Sequence, residues 1–271
     1  MKVKVDCGST KCDFLFIETR KILSCPGFNP NISDNHVLEN NINSNQELKV
    51  MLQQSSEIVF YGTGCAKNAN KERVLKVLSS LVPNAAIVVK HDLDLTLDAL
   101  AGNTPCYVNI LGTGSNSLFY DGKHPIQIVP SLGYILGDEG SGTWFGKQIL
   151  KDFFYKKLPL EIEKAINENE QLKIEQVIER IYRSEGANRF IASFARYLSD
   201  FRSTEYVQAL LHKGFQSFLD AFIFSSQPVD CPLHFSGSIA FHFADELKSV
   251  LLENNLIAGK IVKSPLEALI D

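Results

Sequence analysis

Apolar and polar positions alternate from the first residues of the chain. "KVKVDCG", "DFLFIE" and "KILSC" each read as a short strand, and their close spacing predicts an antiparallel meander. From Ser33 to Gln54 the period changes. Val37, Leu38, Ile42, Leu48, Met51 and Leu52 recur at three-to-four spacing, which predicts a helical segment started by Ser33 and Asp34. "EIVFYGTGC" predicts a buried strand that stops at glycine, "KERVLKVLSSLV" an amphipathic helix, and "AAIVVKHDL" another buried strand leading to Asp92. The order is βββαβαβ.

A second series of the same kind follows. "CYVNILGTGSNSLFYDG" reads as strand, glycine turn and strand, and "IQIVPSLG" continues it. Thr143 to Phe224 is mostly helical in pattern. "PLHFSGSI" predicts a late strand and "AFHFADELKSVLLENN" a further amphipathic helix. Each series opens with a strand–turn–strand whose turn is Gly, Ser and Thr, a repeat by pattern rather than identity. Gly102 to Pro105 is the expected crossover, giving domains of residues 1–104 and 105–263.

Length and charge narrow the chemistry. A chain of 271 residues suits two cores better than one. The net charge of −4 and the scattered Lys and Arg exclude a basic stripe for nucleic acid and favour a small ligand. No apolar run approaches the roughly 20 residues of a membrane span. The N-terminus enters strand alternation without a secretory pattern. Six cysteines (Cys7, Cys12, Cys25, Cys65, Cys106 and Cys231) form no CxxC pair. They read as reduced cytosolic thiols rather than a disulfide framework or zinc site, so a cytoplasmic protein is expected.

The glycine turns carry the candidate chemistry. A turn of small residues between strands has a structural reading, because tight turns need small residues and positive φ. Two such turns in equivalent places also suit phosphate: backbone N–H groups and a hydroxyl converge where glycine admits close approach. Neither a GxxxxGK[ST] loop nor a GxGxxG fingerprint is present. Asp6 ends the first strand immediately before the Cys-Gly-Ser-Thr turn. It reads either as a turn cap or as an outer-sphere partner of Mg²⁺, since a carboxylate beside a phosphate needs a cation between them.

Four motifs carry a resemblance: "DCGSTKCD", "ILGTGSNSLFYDG", "LGYILGDEGSGTWFGKQIL" and "HFSGSIAFHF". Together they resemble the actin-like ATPase and sugar kinase superfamily, and within it the BadF/BadG/BcrA/BcrD ATPases and N-acetylglucosamine kinases. The resemblance implies an α/β fold of two ribonuclease-H-like lobes with a nucleotide cleft between them. It also implies a C-terminal helix near 264–271 that returns to the first lobe.

The same resemblance implies site residues. Gly8, Ser9, Thr10 and Lys11 form the first phosphate loop, and Gly112, Thr113 and Gly114 the second. Gly237 and Ser238 form the loop against the adenine ring. Asp92 matches the base that accepts a sugar hydroxyl proton; read alone, it is equally an N-cap. Asn29, Ser115, Asn116 and Asp138 match sugar-facing residues, although Asn29 alone reads as a turn residue before Pro30. Glu139 is expected to support the loop or cap the helix that begins near Ser141, and Trp144 reads as packing or ligand contact. Gly133 is the one glycine kept from a Gly-Gly-Trp-Gly stretch in that family, where this chain has "PSLG". "DLDLTLDALAG" likewise departs from the usual Asp-Leu followed by a Gly-Ala run, with Asp94 and Asp98 expected to be solvated. The implied activity is ATP- and Mg²⁺-dependent phosphorylation of an amino-sugar hydroxyl; the resemblance also allows a homodimer. A sugar or nucleotide sensor without catalysis, or an activator ATPase, are the alternatives in the same fold.

Overall fold

The computed structural model describes residues 1–126, 128–184, 186–225 and 230–270. The chain divides into two compact units, one of Met1–Gly102 with the C-terminal stretch from Ser264, the other of Asn103–Lys263. The division falls two residues before the expected 104/105 boundary.

In the first unit, strands β1 (Lys2–Cys7), β2 (Lys11–Phe16) and β3 (Lys21–Pro26) form the meander, and β4 (Glu57–Gly62) and β5 (Ala86–His91) extend the sheet on the other side of β1. The order is β3-β2-β1-β4-β5, with β1, β4 and β5 parallel. Helices α1 (Asn35–Asn43), α2 (Gln46–Gln53) and α3 (Asn68–Leu81) precede and follow β4, and α4 (Asp92–Leu100) follows β5. Val3, Val5, Phe14, Phe16, Leu38, Leu48, Ile58, Phe60 and Val74 share one buried cluster. The pleat sends Leu15 and Tyr61 into a separate cluster with Leu95 of α4 and Leu266.

Several expectations are corrected here. The single helical tract from Ser33 to Gln54 is two helices, because Asn45 caps α2 by accepting from the Leu48 amide (3.1 Å) while its Nδ2 donates to Ser24 O. Asp34 occupies the N-cap of α1 without a side-chain bond. β5 is an edge strand, not a buried one, and Val88 is 51% exposed. The expected C-terminal helix is a single 3₁₀ turn, Glu267–Leu269; so short a segment does not nucleate an α-helix. Leu266 nevertheless packs in the first unit.

The second unit repeats the topology. Its strands are β6 (Cys106–Leu111), β7 (Ser115–Tyr120), β8 (Pro125–Ile126), β9 (Leu233–Ser236) and β10 (Ala258–Val262), ordered β8-β7-β6-β9-β10. β10 was not legible in the pattern. Among the described residues "IQIVPSLG" contributes only Ile126 to a strand; Pro130 lacks the N–H a ladder needs, and Gly133 opens the short helix α5 (Gly133–Leu136). Gln127 of that expected strand, Glu185 of the helical tract and Asp271 of the expected C-terminal helix lie outside the described residues. The helical tract consists of α6 (Gly142–Phe154), α7 (Leu160–Glu170), α8 (Ile174–Tyr182), α9 (Ala187–Ser193), α10 (Arg196–Asp200) and α11 (Glu205–Phe218). α12 (Ser238–His242) and α13 (Ala244–Glu253) lie between β9 and β10. Phe145, Phe215, Phe218 and Phe235 sit in its core. Among the described residues, no helix is long and apolar enough to cross a membrane.

Candidate active site

The first glycine turn joins β1 to β2. The Gly8 amide donates to Lys11 O (2.9 Å), which closes the turn, and the Gly27 and Phe28 amides donate to Thr10 O and Gly8 O. Gly27 was missed by sequence reading. A Cβ there would lie 2.3 Å from Gly8 O and 2.6 Å from Lys11 N, so the chain after β3 packs backbone to backbone on the turn. Gly8 itself has ordinary room. Asn29 is brought to the turn: its Nδ2 donates to Ser9 Oγ (3.3 Å), and its Oδ1 accepts from the Asn31 amide. Arg73 of α3 secures this loop by donating to Asn35 Oδ1 and Ser33 O.

Sheet register sets out the charges. Ser24, Asp13, Asp6, Tyr61 and Lys90 stand side by side across the five strands. Lys11 Nζ lies 2.9 Å from Asp13 Oδ1, and Ser24 Oγ donates to the same oxygen. Burial, then the carboxylates of Asp92 and Asp13, push Asp6 up to about 7, with Lys11 opposing. The next row, on the opposite face of the pleat, is Cys25, Cys12, Cys7, Gly62 and His91. All six cysteines are free and buried. Burial pushes the Cys65 thiol up to about 12, and Cys65 sits in the core of the first unit as a small residue.

Asp92 is the first residue of α4. Its Oδ1 accepts from the Leu93 amide (2.9 Å) and lies 3.2 Å from His91 Nε2. Asp94 is not solvated as expected: its Oδ2 accepts from the His91 amide (2.9 Å), as an N3 side chain does in a capping box. Asp98 is exposed, as expected, yet it has partners. It accepts from Tyr61 OH (2.8 Å) and Lys90 Nζ (2.9 Å), and this clamp holds α4 to β4 and β5 where the family's Gly-Ala run is missing.

In the second unit the turn joins β6 to β7. The Gly112 amide donates to Gly114 O (3.0 Å), and the first amides of α6 reach back, Gly142 to Gly112 O (2.8 Å) and Thr143 to Thr113 O (3.0 Å). Asp138 lies buried against this turn with φ of 60°. Its Oδ1 accepts from the Ser115 amide (3.3 Å) and its Oδ2 from Thr143 Oγ1 (3.4 Å). A Cβ on Gly114 would come within 2.8 Å of Asp138 Oδ2, so the glycine exists to admit the carboxylate. Burial raises Asp138 above the usual carboxylate range; the bonds from Ser115 and Thr143 and the nearby Lys147 oppose that. Ser141, not Glu139, caps α6, accepting from the Trp144 amide (3.2 Å). Trp144 meets Phe145 edge-on (5.2 Å) and, half-buried, packs against the core. Asn116 Oδ1 accepts from the Ser117 amide. Ser115 Oγ is buried with no hydrogen-bond partner among the described residues.

Gly133 stands in the left-handed region (φ 71°) with open space around it. Gly237 has φ of 111°, and a Cβ there would sit 2.5 Å from Leu111 O. Close packing on the end of β6 thus requires a glycine here. Ser238 opens α12 and is exposed. Gly27 and His91 lie outside the four motifs, and Asp13 and Thr143 lie inside two of them without a role that the motif assigns; the register and the turn contacts reveal all four.

No model of a known protein family matches the sequence, and no curated protein does. Solved structures do. The chain superposes with a TM-score of 0.91 on a candidate N-acetylglucosamine kinase from Porphyromonas gingivalis, at 32% identity over 100% of this chain and 97% of that one. A candidate N-acetylglucosamine kinase from Chromobacterium violaceum follows with TM-score 0.73 and 16% identity, covering 99% and 97%. A ROK family glucokinase from Streptomyces griseus, in complex with glucose and AMPPNP, shares the fold at TM-score 0.51 and 12% identity, covering 96% and 93%. The fold is the two-lobed α/β architecture of the actin-like ATPases. The chain belongs to the N-acetylglucosamine kinase-like family of sugar kinases.

Proposed function

We propose that the protein is an ATP-dependent kinase that phosphorylates a hydroxyl of an amino sugar of the N-acetylglucosamine or glucosamine type, in the cytoplasm. The observation that carries this reading is Asp138. A carboxylate buried beside a glycine turn, held in the left-handed region and raised by burial, is costly to the fold. A sugar hydroxyl pair repays such a group by donating to both of its oxygens. Ser115, Asn116, Asn29 and Gly133 complete the sugar-facing set in this reading.

Phosphoryl transfer needs positioning, charge neutralisation and a proton acceptor. Asp92 accepts the hydroxyl proton as the oxygen attacks the terminal phosphorus. The turns of Gly8, Ser9, Thr10 and Lys11 and of Gly112, Thr113 and Gly114 hold phosphate oxygens with backbone amides and hydroxyls. Gly237 and Ser238 lie by the nucleoside. Asp6 fits a cation: its carboxylate is crowded by Asp13 and Asp92, and a positive charge relieves that crowding. Among the described residues no three His, Cys, Asp or Glu groups stand close enough to hold a metal ion unaided. Asp6 therefore suits the outer sphere of Mg²⁺ carried by the nucleotide, which supplies charge neutralisation at the phosphates.

The test is ADP release by purified protein with MgATP and a panel of glucosamine, N-acetylglucosamine, N-acetylmannosamine, muramyl sugars and glucose. The reading expects turnover with at least one amino sugar and less with glucose. No ADP above background on the whole panel ends it.

A further inference from the structure

We propose that Lys147 is a positioning residue of the sugar-facing turn: by donating to Tyr134 O it holds the one-turn helix α5, and with it Gly133, at a fixed place relative to Asp138. The inference rests on the reading of Gly133 and Asp138 as sugar-facing. The turn does not hold itself. α5 is a single turn of four residues, closed by the Gly137 amide on Gly133 O (2.8 Å), and so short a helix is unstable alone. Its flanks are permissive. Gly133 has φ of 71° and open space around it, and the chain leaves through Gly137 (φ −144°) and Asp138 (φ 60°). Burial helps little, since Leu132, Ile135 and Leu136 are exposed and Tyr134 is only partly buried against the core.

Two polar bonds supply the hold. Ser131 Oγ donates to Ser115 O (3.2 Å), which ties the start of the segment to β7. Lys147 Nζ donates to Tyr134 O (2.7 Å), a carbonyl of the helix itself, as a cation near a helix C-terminus does. A charged donor makes the stronger bond of the two. Helix α6 sets the geometry. Thr143 and Lys147 lie one turn apart on it and share a face. Thr143 Oγ1 donates to Asp138 Oδ2 and Lys147 Nζ to Tyr134 O, so one helix grips both ends of the stretch from Tyr134 to Asp138. The Lys147 side chain is half-buried; burial lowers its pKa, and the carboxylates of Asp138 and Glu139 oppose that. Binding groups must be held within about 0.5 Å and 10–20° of their productive geometry. Without Lys147 the place of Gly133 is left to the Ser131 bond and a glycine-flanked turn.

The experiment compares the wild-type protein with K147M and K147R on the amino sugar that gives the highest turnover in the panel. Measured are kcat, KM for sugar and for ATP, and the thermal midpoint without ligands. Met keeps the apolar stem and loses the donor and the charge; Arg keeps both. K147M is expected to raise KM for sugar by about tenfold, as a small misplacement of a binding group does. Its kcat is expected within about threefold of wild type and its KM for ATP within about twofold, the pattern of lost substrate binding. K147R is expected to recover most of the sugar KM. A wild-type sugar KM in K147M, both KM values raised alike with a lowered thermal midpoint, or K147R no better than K147M, each overturns the proposal. A wild-type protein inactive on every sugar removes the kinase reading and this role with it, whereas an active wild type with an indifferent K147M removes the Lys147 role only.

Discussion

The two glycine turns occupy equivalent places in two sheets of the same order, yet their surroundings differ in kind. The turn after β1 lies beside charge: Asp6 and Asp13 are register partners, Asp92 adds a third carboxylate, and Lys11 opposes them. The turn after β6 lies in a finished frame of neutral donors, with one buried carboxylate, Asp138, held by Ser115 and Thr143. Equal topology thus leaves chemistry free to diverge. The first turn is built to meet a shifting balance of charge, the second to hold a shape.

The largest effect expected from this contrast is at Asp92. D92N keeps the size and the Oδ1 contacts but loses the basic oxygen, and general-base loss is worth about 10²–10⁴ in rate. Turnover should fall by about 10³-fold, with nucleotide affinity by calorimetry within a few fold of wild type. Retention of a tenth of the wild-type rate would assign the proton to another acceptor.

Next come the glycines, which ask how tightly each turn is packed. G27A drives a methyl group into the backbone of Gly8 and Lys11, neither of which is a flexible side-chain end. The expected loss is about 2–3 kcal/mol of stability, as for other overpacked sites. G112A meets nothing within 4 Å, and its φ lies outside the left-handed region, so its stability should stay within about 0.5 kcal/mol of wild type. Denaturant midpoints decide it. Equal losses at both would mean that the second turn is as crowded as the first.

These glycines also show where sequence reading stops. The strand–turn–strand repeat, the helix after Ser141 and the position of Asp92 between β5 and α4 are legible, because each depends on periodicity and on local capping chemistry. Gly237 is legible as a special glycine, but the reason for it is not: the carbonyl of Leu111 comes from more than a hundred residues earlier in the chain. Asp94 reads as solvated because its partner, the His91 amide, is chosen by helix placement, and the bonds of the exposed Asp98 to Tyr61 OH and Lys90 are chosen by sheet register. β10 escaped because its five residues are half-exposed and carry a register shift against β9. Short-range pattern records what a residue prefers; contacts across a sheet record what it meets.

Asp138 offers a smaller effect that separates folding from binding. Its pKa is raised in the native state relative to the unfolded chain, so the native state holds the proton more tightly. The stability linked to that proton is complete at low pH and is lost as pH rises through the native value, above the usual carboxylate range. D138N has no such loss, and Asn tolerates the left-handed backbone at this position. The thermal midpoint of D138N relative to wild type should therefore climb from acid to neutral pH, while sugar affinity drops. A difference that shrinks with pH would show that the bonds from Ser115 and Thr143 outweigh burial.

The finest probe is Ser115. Its Oγ is buried without a partner among the described residues, beside an amide that serves Asp138. An unmet buried hydroxyl costs about 1–3 kcal/mol by mutational scales, and replacing it by hydrogen removes that cost. S115A is expected to leave the empty protein as stable as wild type, or more stable by up to about 1 kcal/mol. If the hydroxyl exists to meet a sugar oxygen, the same change raises KM for sugar several-fold and leaves KM for ATP alone. Stability and affinity then move in opposite directions, which packing alone does not produce. A variant that loses stability and keeps its sugar KM would make Ser115 a structural residue of β7, and the second turn would owe its sugar-facing character to Asp138 alone.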